Sequence, residues 1–145
     1  MLTTKLINPE IMAVLSKCGH GDKILISDAN YPLDSKTGDA AKVYLALEKD
    51  CPTATNVLEV LKSVVNFEKA ELMMPDSDAE PEIFEEFKKI LPEAEFVTLG
   101  RYDYYDACCE SQVKLAILSG ESRIYANILL TVGVAWFLVK CGLNE

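Results

Sequence analysis

The chain has one histidine, His20. That scarcity argues against a zinc centre, which draws on several His or Cys ligands at short spacing. His20, Asp22 and Asp28 form the nearest candidate trio, and the apolar run "KILIS" separates the last from the other two. No GxGxxG or Walker A loop is present. The GxG inside "CGHGDK" precedes an apolar run rather than following one, so the phosphate cradle of a strand-to-helix turn is missing. A GxSxG elbow is also missing, which removes the hydrolase nucleophile of that type.

Cations are scarce as well. Fourteen Lys and Arg face 23 Asp and Glu, a net charge of −9, and Lys88-Lys89 is the only adjacent cationic pair. A nucleic-acid or anionic-membrane surface needs clustered Lys and Arg. The five cysteines are an odd number with no CxxC, which suits free thiols in a reducing compartment. Cys108-Cys109 could form a vicinal disulfide, and two thiols on a helix are the expected reading. The start "MLTTKLINPE" has no long apolar stretch, and a cytoplasmic location is expected. The apolar run from Ile124 to Val139 falls short of the ~20 residues a bilayer span needs.

Half of the 145 residues are apolar, enough for one globular domain over 1–145. "LINPEIMAVLSKCG" predicts a short helix, with Asn8 as cap, Pro9 in its first turn and Gly19 ending it in a left-handed conformation. Ile11, Val14 and Leu15 would share one face. "KILIS" predicts a buried strand ending at Asp28, and "NYPLDSKTGD" a loop. "AKVYLALE" is read as a strand. "TATNVLEVLKSVVNF" has helical spacing at Val57, Leu58, Leu61 and Val64. "AELMM" follows as a strand, "DAEPEIFEEFKKILPE" as an amphipathic helix between Pro81 and Pro92, and "EFVTL" as a strand. A helix over "DYYDACCESQ", a strand over "VKLAILS", a turn at "GESRIY" and a last strand over "NILLTVGV" complete the pattern. Helices alternating with short apolar strands predict an α/β fold with a largely parallel sheet covered by helices. Ligands in such folds sit beyond the carboxyl ends of strands, where Asp28 and Asn30 would lie.

His20 has two readings. It is a satisfied residue after a helix, or an acid/base whose neutral-range pKa lets it give and take protons. Cys18 is the nearest thiol to it, but the negative end of a helix disfavours a thiolate there. "RYDYY", Arg101 to Tyr105, is either a helix entry with packed rings or the wall of a polyol pocket, where aromatic faces cover a sugar ring. Tyr125 and Asn127 in "YAN" are either an ordinary strand start or donors and acceptors for hydroxyl pairs.

Taken together, "GHGDKILISDANYP" near one end and "GE…YANILL…GV" near the other resemble the motifs of the D-ribose pyranase and L-fucose mutarotase family, over about Ile7 to Val134. "SDANYP", "LMMP" and "RYDYY" look more like the fucose mutarotase branch; the pyranase branch tends to carry Gly in place of Asn30 and His in place of Arg101. The stretch between Arg101 and Tyr125 is longer than the family pattern, which leaves Tyr102, Tyr104 and Tyr105 as alternatives for that wall. The tail 135–145 extends past the usual family end.

The resemblance implies an isomerase that interconverts the cyclic forms of a monosaccharide, L-fucose or a related sugar, without cofactor or metal. D-ribose pyranase activity and a non-catalytic sugar-binding role are the alternatives. His20 matches the family's proton donor, with Asp28 orienting either His20 or a sugar hydroxyl. Asp28, Arg101, Tyr125 and Asn127 match substrate-binding positions, and Tyr105 is a further candidate. Members form homo-oligomers, commonly decamers of two stacked pentamers with sites at subunit boundaries. The equipment suits mutarotation, which needs one group to take the anomeric proton and another to protonate the ring oxygen.

Overall fold

A computed structural model describes residues 1–135; the predicted tail lies almost wholly outside them. The sheet is built outward from "KILIS". Its residues form β1 (Lys23–Ser27) with Ile24, Leu25 and Ile26 all fully buried. A strand buried on both faces has no polar alternation, as the sequence showed. β2 is Ala41–Tyr44, β3 Phe67–Met73, β4 Glu95–Leu99, β5 Val113–Leu118 and β6 Ile128–Val132. They form one six-stranded sheet in the order β2-β5-β1-β6-β3-β4.

β1 pairs in parallel with β5, β5 with β2, and β3 with β4. β6 is antiparallel to both of its neighbours, β1 and β3. Five strands therefore run one way and the last runs against them. The cause is the short, helix-free link between β5 and β6, since a parallel return needs a crossover of a dozen or more residues. The carboxyl ends of β1, β3 and β4 thus meet the amino end of β6.

Helices α1 (Pro9–Leu15), α2 (Ala54–Lys62) and α3 (Ile83–Ile90) cover one face. Their Ile11, Leu58, Leu61 and Phe87 share a core with Ile24, Ile26, Leu115 and Ile128 of the sheet. α4 (Arg101–Cys108) and the loop after β1 cover the other, where Tyr31, Leu33, Tyr104 and Cys108 pack on Leu25, Ala116 and Leu129. The start signal of α1 is as its sequence suggests, and α2 has a side-chain cap that its spacing alone did not mark. The Asn8 side chain accepts the Ile11 N–H at 2.9 Å with Pro9 at the first helical position, and Thr53 accepts the Asn56 N–H at 3.1 Å.

Five local expectations change, one being that α4 spans Arg101–Cys108 rather than "DYYDACCESQ". α1 is capped by Ser16, and the left-handed glycine is Gly21 (φ 93°) rather than Gly19; Asp22 accepts the Gly19 N–H at 2.8 Å and closes the turn one step later. α2 stops at Lys62, so Val64 falls beyond it and is exposed. β3 begins three residues before "AELMM", its polar first half hidden from a search for apolar runs. β2 ends at Tyr44, and Leu47 beyond it is exposed. Cys108 and Cys109 are both free thiols; Cys108 is buried, and burial pushes its thiol up to about 12.

Candidate functional site

The junction where β6 opposes β1 and β3 holds a pocket of about 210 Å³, lined by Asp28, Asn30, Met73, Arg101, Tyr105 and Tyr125 among others. That volume lies below the ~300–1,000 Å³ of pockets for drug-sized ligands. A second hollow of about 160 Å³, between α1, α2 and the segment 5–8, is walled mostly by Ile11, Leu45, Val57, Val60 and Leu61. It brings no acid and base together.

Asp28 follows the last residue of β1 and is almost completely buried. Asn127, one residue before β6, holds it in place. The Asp28 N–H donates to Asn127 Oδ1 at 2.8 Å, and Asn127 Nδ2 donates to Asp28 Oδ2 at 3.4 Å. The Asn30 N–H donates to Asp28 Oδ1 at 2.9 Å. Burial raises the Asp28 pKa above the ordinary carboxylate value, opposed by hydrogen bonds from the Asn30, Ala126 and Tyr31 amides and from Asn127. Removing the charged carboxylate from water costs more than these hydrogen bonds return. The result is a carboxylate more basic than one in water, held rigidly at the pocket.

Arg101 and Tyr105 come from the first two turns of α4, four residues apart and hence on one face. Arg101 Nε donates to Tyr105 Oη at 3.2 Å, and the guanidinium lies 5.7 Å from the Tyr105 ring centroid. Tyr31 steadies that ring edge-on at 5.5 Å. Tyr102 is exposed outside the pocket lining, and Tyr104 points into the core. Of these residues, Arg101 and Tyr105 line the pocket.

Tyr125 sits at φ 60°, a left-handed backbone for a residue with a Cβ. Such a conformation costs about 1–3 kcal/mol and persists only where its surroundings enforce it. Met73, the last residue of β3, and Ile124 add an apolar side to an otherwise polar pocket. Sequence reasoning missed both. The signal for Met73 was its place at a strand's carboxyl end; Ile124 lay in a stretch read only as a turn.

His20 is elsewhere. It precedes β1 while Asp28 follows it, and a five-residue strand spans roughly 17 Å. Its Nε2 lies 2.7 Å from Glu68 Oε1 near the start of β3, and the side chain is 58% exposed. Within one chain Asp28 therefore cannot orient His20, and that expected pairing is corrected. Cys18 is no nucleophile candidate either: its thiol donates to the Val14 carbonyl at 3.4 Å, and burial followed by Asp22 raises its pKa. Among the described residues no group of three or more His, Cys, Asp or Glu could hold a metal ion. No described helix is long and apolar enough to cross a membrane.

Fold and pocket define a class: a single small α/β domain whose mostly parallel sheet carries a pocket at the point where its last strand reverses. The chain belongs to the RbsD / FucU transport protein family, which matches residues 1–135. A D-ribose pyranase of Clostridium novyi is 31% identical over 136 residues, covering 94% of this chain and all of that protein. One from Clostridium tetani is 30% identical over 131 residues, 90% of this chain and 96% of the relative. RbsD of Bacillus subtilis, solved with D-ribose, superposes with a TM-score of 0.82 at 25% identity, over 94% of this chain and 100% of its own. FucU of Bifidobacterium longum gives 0.77 at 27% identity, over 90% and 96%. Named relatives are thus sugar pyranases, an isomerase-type activity.

Proposed function

We propose that this protein speeds the interconversion of the cyclic forms of a free monosaccharide by acid/base ring opening and closure. The observation that carries the reading is the buried Asp28 carboxyl, its pKa raised, fixed by Asn127 beside a pocket of monosaccharide size. Asp28 takes the proton of the anomeric hydroxyl as the bond from the anomeric carbon to the ring oxygen breaks. The ring oxygen takes a proton from a second group, and an open aldehyde forms. Rotation about the bond next to the carbonyl and reversal of both transfers close the ring on the other face. Arg101, Tyr125 and Asn127 hold hydroxyl groups, and the Tyr105 ring covers a sugar face.

The second group is His20 of another copy of the chain. Its exposure and its distance from its own pocket suit a residue that acts across a subunit boundary, in line with the ring assemblies the family resemblance implies. The sugar is L-fucose or a similar 6-deoxy sugar: Met73 and Ile124 offer an apolar contact for a methyl group, and Asn30 and Arg101 follow the fucose pattern. D-ribose is the second reading, favoured by the names of the curated relatives.

Saturation-transfer NMR on L-fucose and D-ribose side by side tests this. Faster exchange of fucose anomers supports the first reading and faster pyranose–furanose exchange of ribose the second. Binding with no acceleration of either refutes catalysis. The shared site is tested by mixing: inactive His20→Ala and Asp28→Asn variants, dissociated and reassembled together, should regain activity. Mixtures that stay inactive would refute the assignment of His20 to a neighbouring site.

A further inference from the structure

The segment between β5 and β6 delivers Ile124, Tyr125 and Asn127 to the pocket, yet it has no helix or strand of its own. Something must enforce the left-handed backbone of Tyr125. Just upstream, the side chain of Glu121 is 2% exposed. Its carboxylate accepts from the Ala54 N–H at 3.3 Å, at the start of α2, and from Arg123 Nε at 3.0 Å. The Glu121 carbonyl accepts from the Ala29 N–H at 2.9 Å, immediately after Asp28. Arg123 then reaches the other way, its Nη1 and Nη2 donating to the two Glu86 oxygens on α3 at 2.5 and 3.2 Å.

We propose that Glu121, Arg123 and Glu86 form a positioning clamp that sets Tyr125 and Asn127 for the sugar. One guanidinium between two carboxylates ties the segment to α2 and α3 at once. The planar fork of Arg fits this bidentate geometry, and Lys does not reproduce it. The Glu121 carbonyl also accepts the Ala29 N–H, which anchors the start of the segment beside β1. None of the three residues lines the pocket, so their effect on the sugar runs through Tyr125 and Asn127. The Glu86 pKa is lowered first by its hydrogen bond to Arg123, in agreement with the geometry.

The proposal rests on the pocket being the sugar site, so its test has two arms. In the first, Arg123→Met should raise KM for the accepted sugar about tenfold with kcat within twofold, the pattern of lost uniform binding. Glu86→Ala should raise KM about threefold, and the double variant should be no worse than Arg123→Met alone, because both open the same link. Arg123→Lys, which keeps a charge beside Glu121, should fall between wild type and Arg123→Met, and serves if the Met variant folds poorly. A kcat that falls with the folded fraction at unchanged KM would mean a structural role only and would overturn the clamp.

The second arm needs no sugar. Amide exchange at Tyr125, Ala126 and Asn127 should quicken about tenfold in Arg123→Met, with β1 and β3 unchanged. No change there, or a uniform change across the sheet, overturns the clamp. A wild type inactive on sugars but showing the local effect on Arg123→Met would sink the functional reading and leave the clamp standing.

Discussion

Asn127→Ala tests the tie between stability and chemistry at Asp28. The substitution removes the acceptor of the Asp28 N–H at 2.8 Å and the donor to Asp28 Oδ2 at 3.4 Å. Both residues are buried, so water replaces the lost partners poorly. An unpartnered buried N–H costs about 1–3 kcal/mol, and the longer contact adds ~0.5 kcal/mol. For a chain of 145 residues the sum corresponds to a fall in Tm of about 5–12 °C. A pH signature accompanies it. The Asp28 pKa is already raised in the folded state, so its contribution favours folding when protonated and is lost as pH rises through the folded value. Without Asn127 the charged form loses a stabilising donor and the pKa rises further. The stability gap between variant and wild type should therefore be widest at neutral pH and narrow, without closing, as pH falls towards the ordinary carboxylate range. The acid limb of activity should move to higher pH. Urea unfolding at matched protein concentration across a pH series measures the gap. A gap under about 0.5 kcal/mol, or one independent of pH, would refute the reasoning.

Two further outcomes follow from the packing. The Tyr104 hydroxyl is fully buried without a partner among the described residues, so Tyr104→Phe should leave stability unchanged or raise it by about 1 kcal/mol; thermal melts showing a clear loss would reveal a partner outside them. A Cβ on Gly120 would lie 2.5 Å from the Glu48 carbonyl oxygen and 2.8 Å from the Cys51 nitrogen, both backbone atoms. Gly120→Ala should thus destabilise by at least about 2–3 kcal/mol, read by urea midpoint, and a neutral result would show that the 48–51 turn yields easily.

Much of this was legible in the chain. "KILIS" reads as a doubly buried strand because no residue in its centre tolerates water. Asn8-Pro9 marks a helix start by side-chain chemistry that acts within three residues. Asp28 was found because a strand's carboxyl end is a fixed place in an α/β sheet. What stayed hidden was long-range. The short link after β5 explains why β6 is reversed, but nothing in "NILLTV" encodes its insertion between β1 and β3. His20 and Asp28 are near in sequence but lie at opposite ends of a strand, so proximity along the chain misled about proximity in space. Met73 looked like core and is core on one side only, its place at the pocket being set by β6. α3 reads from its spacing only as an amphipathic helix; Glu86 on it reaches Arg123 across a gap that periodicity cannot see.

The reversed last strand has a consequence for biosynthesis. Without β6 the sheet is two separate pieces, β2-β5-β1 and β3-β4, with no strand pairing between them. Asp28 belongs to one piece and Met73 to the other. A ribosome must therefore release the chain through β6 before the halves can be stitched and the pocket can exist. Nascent chains cut short before Ile128 would carry most of the hydrophobic residues and none of the assembled site, exposing the inner edges of β1 and β3 to whatever strand they meet first.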